Sequence, residues 1–120
     1  TSMFINATED ISPPVTDQIL ALAATGVLRS ADGSFNYSRE LPRIRNPILL
    51  VAGKVDNLAP PEAVRHVFHS VSSVDKGLRM FGLANGDSVD YGHDDLIIGR
   101  NASREVFPVI KQWILERPVK

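Results

Sequence analysis

The stretch "PILLVAGKVDNLAPP", residues 47–61, sets the reading of the whole chain. Five consecutive apolar residues, Ile48 to Ala52, stand between Pro47 and Gly53. A short apolar run without alternation suits a strand covered on both faces, as in a parallel sheet. Asp56 follows the glycine by three residues, and Pro60 and Pro61 then open a helical pattern. Pro is well placed in a first helical turn because its missing N–H would be unpaired there anyway. The stretch therefore predicts a buried strand that delivers a carboxylate to the end of a sheet, where ligands of open α/β sheets collect. A turn or capping role for Asp56 fits the same position.

Working outward, "PPEAVRHVFHSV" (60–71) predicts a helix from Pro60 or Pro61, with Val64, Val67, Phe68 and Val71 as its apolar stripe. "KGLRMFGL" (76–83) predicts a second strand burying Leu78, Met80 and Phe81. A long loop, "ANGDSVDYGHDD", comes next. "ASREVFPVIKQWILE" (102–116) then predicts one helix carrying Val106, Ile110, Trp113 and Ile114 on one face, with Pro108 near its first turn or kinking it. Upstream, "PPVTDQILALAATG" (13–26) predicts a helix capped at Thr16 or Asp17 and ended by Gly26, with Ile19, Leu20, Ala23 and Ala24 at helical spacing. Residues 27–47 are polar, carry an Asp-Gly turn signal, and read as an extended connection. The fold class is α/β: a βαβ unit with two parallel strands and flanking helices. Residues 1–43 are expected as a helix and connecting segment, and residues 44–120 as the α/β portion.

Two parallel strands are too few for an ordinary doubly covered sheet, and they leave apolar strand edges unpaired. The expectation is that the chain is the last third of a larger domain, or that it pairs with a second copy as a homodimer.

Composition narrows the function. The 120 residues carry a formal net charge of −1 and no cysteine. No basic field or Arg/Lys run invites nucleic acid. Disulfides, thiolate catalysis and Cys-based metal sites are excluded. No apolar stretch reaches membrane-spanning length. The start "TSMFINATED" lacks the basic and apolar regions of a signal peptide, and a cytoplasmic protein is expected.

The second candidate is His93, in "DYGHDDLIIGRNA". Gly92 allows a sharp turn, and the apolar "LIIG" that follows can pin the loop. Asp56 and His93 each follow a strand, so adjacent parallel strands would bring both to one rim. A carboxylate accepting from one ring nitrogen leaves the other free to act as a base. Asp87, Asp90, Asp94 and Asp95 crowd His93 in sequence and compete with Asp56 for that role. His66 and His69 share one helical face at a spacing open to a metal, yet only Glu62 is near, on the same helix. A G-x-S-x-G elbow is absent. Its nearest imitation, "GDSVD" (86–90), lacks the closing glycine, so Ser88 reads as a loop serine, and Ser34 in "ADGSFN" is weaker still.

From about Leu41 to Trp113 the chain resembles the C-terminal part of α/β-hydrolase-fold enzymes. "RIRNPILLVAGKVDNLAPPEAV" is similar to the strand delivering that family's catalytic acid, with Pro before it and Gly-x-x-Asp after it. "DYGHDDLIIGRNASREVFPVIKQWI" resembles the catalytic-histidine loop and closing helix, most of all in acid lipases of the gastric and lysosomal type. The resemblance implies a partial α/β-hydrolase fold in which Asp56 is similar to the triad acid and His93 to the triad base. It also implies that the first helix and "LRSADGSFNY" resemble the end of a cap region. The family's early strands, oxyanion-hole loop and nucleophile elbow have no counterpart here. The implied function is a portion of an ester or acyl hydrolase, inactive alone, completed by an N-terminal segment and acting on a small ester or acyl substrate. Triad chemistry needs no cofactor. The alternative is a non-catalytic remnant that dimerises through its open sheet edge in a binding or structural role.

Overall fold

A computed structural model describes residues 11–119. The chain divides into two compact units at the boundary between Leu41 and Pro42.

In the first unit, α1 spans Pro13–Thr25. It starts earlier than a Thr16 or Asp17 cap would allow, because Ser12 is the N-cap and prolines fill the opening turn. Thr16 instead turns its hydroxyl back to the Ser12 carbonyl at 3.2 Å. Gly26 closes the helix in the left-handed conformation, φ 70°, and donates to the Leu22 carbonyl. No residue of α1 is buried, and Val15, Ile19, Leu20 and Leu22 all face outward. The segment after it is not simply extended. It folds back on itself through an antiparallel bridge between Arg29 and Asn36, around a turn with Gly33 at φ 75°.

The second unit holds the sheet. β1 (Ile48–Gly53) and β2 (Lys76–Phe81) pair in parallel, in register from Ile48 opposite Lys76 to Gly53 opposite Phe81. Between them runs α2 (Pro61–Ser70), which lays Val64, Val67 and Phe68 inward and ends beside the buried Val71. Lys76, at the start of β2, donates to the carbonyls of Phe68 (2.7 Å) and Val71 (3.3 Å). A cation there satisfies acceptors that the helix end leaves open.

After β2 come a 3-10 turn (Leu83–Asn85) and three α-helices: α3 (Asp95–Ile98), α4 (Ala102–Glu105) and α5 (Phe107–Leu115). The single helix expected over 102–116 is thus two. Pro108 sits in the first turn of α5, and its lack of an N–H, with its ring against the preceding turn, breaks the ladder at Val106. Ile114 also departs from expectation, being 61% exposed, while Val106 is fully buried. Trp113 rests on Gly77, where any Cβ would strike its ring at 2.9 Å. Arg117 stacks on the same ring and grips Asp75 through Nε (2.5 Å) and Nη2 (2.8 Å), tying the end of α5 to the start of β2.

Burial along both strands rises toward their C-terminal ends. The core of Phe81, Tyr91, Ala102 and Val106 lies at that end, with Val51, Leu96, Val109 and Ile110 packed around it. Phe81 and Tyr91 meet edge to face, ring centroids 5.6 Å apart. The best-packed part of the molecule therefore underlies the rim where the sequence places its two candidate residues. Among the described residues the sheet has these two strands alone, and no helix is long and apolar enough to cross a membrane.

Candidate active site

Asp56 stands three residues beyond β1, in a turn closed by its own N–H donating to the Gly53 carbonyl at 3.2 Å. Its carboxylate is buried, and its two oxygens serve different partners. Oδ1 accepts the backbone N–H groups of Leu58 and Ala59, both at 2.8 Å, which shapes the approach to Pro60 and α2. Oδ2 faces the ring of His93, 2.8 Å from Nδ1. The turn role and the histidine-orienting role thus coexist in one side chain.

Burial pulls the Asp56 carboxyl upward, but the Ala59 N–H, the His93 ring and the Leu58 N–H outweigh it. The net position is below the ordinary value of 3.8. Asp56 is therefore an anion at neutral pH and can only accept, so Nδ1 of His93 must carry the proton. In the neutral imidazole the lone pair is then on Nε2. The His93 side chain is 49% exposed, and no hydrogen bond from the described residues reaches Nε2. A half-open ring with its inner nitrogen tied to a buried carboxylate is chemically able to accept a proton at Nε2.

The segment before His93 is laid on the end of β1. The Tyr91 carbonyl accepts from Val55 N at 3.0 Å. Gly53 makes this approach possible, since a Cβ there would collide with the Tyr91 carbonyl and crowd that of Gly92. Gly92 donates its N–H to Asp95 Oδ2 at 2.8 Å, and the Asp94 carbonyl receives the N–H groups of Ile97 and Ile98. His93 sits at the corner between these two fixed points.

Three of the four rival acids are occupied elsewhere. Asp87 is buried, paired through both oxygens with Arg79 at 2.8 and 3.2 Å, and accepts from Gly82 N. Asp90 accepts from Leu83 N at 2.9 Å and Asp95 from Gly92 N. None of these, nor Asp94, hydrogen-bonds to His93. The loop serine is also spent. Ser88 directs its N–H (2.8 Å) and its hydroxyl (3.1 Å) to Glu105 Oε2. Ser34 bonds to Asp32 at 2.7 Å. His66 approaches only Ser70, at 3.5 Å, and no cluster of three or more potential metal ligands exists among the described residues.

Sequence reasoning missed Glu105. Its Oε1 takes the buried Tyr91 hydroxyl at 2.7 Å while Oε2 takes Ser88, and these bonds, that of Tyr91 foremost, hold its carboxyl below the usual range. Burial and Glu105 together push the Tyr91 phenol up to about 12. The partners are 14 and 17 residues apart, and no local pattern announces them. Comparison with known protein families, with curated proteins and with solved structures finds no match to this chain.

Proposed function

We propose that this chain supplies the base and the acid of a Ser-His-Asp triad in an α/β-hydrolase-type ester or acyl hydrolase. His93 would take the proton of a serine hydroxyl through Nε2 and return it to the leaving group, with Asp56 holding the ring and stabilising the imidazolium. The nucleophile and the oxyanion donors come from a segment outside this chain, so the chain alone does not turn over. The observation that carries the reading is the 2.8 Å bond from His93 Nδ1 to Asp56 Oδ2, with Nε2 left open. The resemblance of both flanking stretches to the hydrolase family supports it, and so do the two strand edges left unpaired among the described residues. No cofactor is needed for such a step, and a cytoplasmic site of action accords with the cysteine-free composition.

Fluorophosphonate labelling tests the reading, because the probe marks serines activated by a nearby base. The isolated chain should show no adduct by intact mass. Mixing with a strand–elbow–helix segment bearing G-x-S-x-G should restore both labelling and ester hydrolysis, and His93→Ala should abolish them. Labelling of Ser88 in the isolated chain would overturn the reading.

A second reading is favoured by the same open edges: a non-catalytic remnant dimerising through β1 or β2. A stable homodimer in solution that neither labels nor responds to an elbow segment would establish it instead.

A further inference from the structure

The Tyr91 hydroxyl is a buried titratable group with no part in the proton path proposed for His93 and Asp56. Its surroundings connect it to that pair. The ring is 1% exposed and wedged against Phe81, its hydroxyl donates to Glu105 on α4, and its carbonyl holds Val55 just beyond β1. One peptide further on, Gly92 is tied to Asp95, and the next residue is the histidine. Glu105 also clamps Ser88, so one carboxylate fastens both the beginning and the middle of the loop that carries His93.

We infer that Tyr91 and Glu105 are positioning residues for His93: the bond between them fixes the backbone from which the imidazole reaches Asp56. The physical reason lies in the exposed ring. His93 is half in solvent, and among the described residues a single hydrogen bond directs it. Its orientation therefore depends on where its Cα is held, and that is set by the anchored Tyr91–Gly92 segment. A charge-assisted bond from a buried ring, half-shielded from solvent, holds a backbone more firmly than loop contacts in water. The inference deepens the hydrolase reading and rests on His93 being its base, but it is measurable without nucleophile or substrate.

The variants follow from the chemistry. Tyr91→Phe keeps the ring packing and deletes only the hydroxyl. Glu105→Ala removes both acceptor oxygens, so neither Tyr91 nor Ser88 keeps its bond. The readout is the His93 Nδ1 proton, seen in the low-field proton spectrum of the 120-residue chain labelled with 15N-histidine and assigned by its loss in His93→Ala. Its exchange with water should accelerate roughly tenfold in Tyr91→Phe, about the effect of losing one hydrogen bond to a charged group. Glu105→Ala should accelerate it at least as much, and adding Tyr91→Phe to it should change little further, because the bond between the two is already gone. Amide exchange of Leu78 and Met80 should stay at the wild-type rate, separating local release of the loop from global loosening.

Unchanged Nδ1 exchange in Tyr91→Phe, with only global stability lowered, would show that the tether serves the core alone and would overturn the inference. If Tyr91→Phe does not fold, Glu105→Ala decides by the same criterion. Absence of a protected Nδ1 proton in the wild-type chain would instead remove the His93–Asp56 pair itself. Failure of an elbow segment to restore hydrolysis would sink the triad reading and leave the tether standing.

Discussion

Asp56 and His93 are 37 residues apart in the chain and 2.8 Å apart in the fold, and Asp56 reaches the ring with one oxygen while the other organises its own turn. This division makes Asp56 harder to replace than either role alone would. The turn keeps the carboxylate from moving, and the bond to His93 keeps the carboxylate from needing water.

Asp56→Asn tests the pairing. Asparagine retains an oxygen for Leu58 and Ala59, so the turn should survive and the fold with it. Its amide nitrogen would face Nδ1, a donor against a donor, and the ring would have to shift its proton to Nε2. In a chain completed by an elbow segment, hydrolysis should fall by roughly 10⁴-fold, the scale known for such tautomer errors. Asp90→Asn, whose side chain bonds to Leu83 N beside Gly82, should leave the rate within about threefold, since that bond is remote from the ring. Equal losses in the two variants would mean that the acid is misassigned.

The acid limb of stability should carry the Asp56 signature. Its folded carboxyl lies below the ordinary value of 3.8, the backbone and His93 bonds having overcome the opposing effect of burial. A depressed folded value means stability that is present above 3.8 and lost as the pH falls below it toward the folded value. The urea midpoint should therefore drop on passing from about pH 6 to about pH 3, and the drop should be shallower in Asp56→Asn. Identical slopes for wild type and variant would mean that Asp56 gains nothing from its partners.

Much of this was legible in the residues. The run Ile48–Ala52 could be little else than a strand, because five apolar residues ended by glycine are too short for a buried helix. The paired prolines at 60 and 61 fixed the start of α2 to within a residue. Asp56 and His93 were legible because each follows such a strand, and strand order turns distance in sequence into proximity. The break at Val106 was misjudged because helical periodicity runs unbroken through Pro108, and only the backbone registers the missing donor. The outward-facing apolar residues of α1 and Ile114 misled for a different reason. Periodicity shows that a face is apolar, not what covers it. Glu105 was invisible because a surface-type residue in a helix becomes a buried tyrosine's acceptor only through long-range folding.

Gly53→Ala should show how closely the histidine loop is seated. The added methyl would meet the Tyr91 carbonyl and, at 3.1 Å, that of Gly92, both backbone atoms that cannot swing aside like a side chain. Either β1 or the loop must shift, at a cost of about 1–3 kcal/mol in the unfolding free energy, the usual range for overpacking. Denaturant melts give the cost. Loss of the His93 Nδ1 proton signal in the folded variant would show that the loop is what moves.

Tyr91 should govern the alkaline limb. Burial, then its bond to the Glu105 carboxylate, raise the phenol from 10.0 to about 12. A raised folded value means that the contribution is fully present below pH 10 and is lost as the pH rises through 10 toward 12. The chain contains two tyrosines, so in Tyr37→Phe every phenolate signal belongs to Tyr91. In that background the phenolate absorbance should appear well above pH 10 and together with loss of far-ultraviolet circular dichroism, because the buried hydroxyl ionises only as the core around Phe81 and Val106 opens. Adding Tyr91→Phe should then move alkaline unfolding to higher pH. A phenol that titrates near 10.0 with the dichroism intact would mean that Tyr91 is accessible to water and that Glu105 does not hold it.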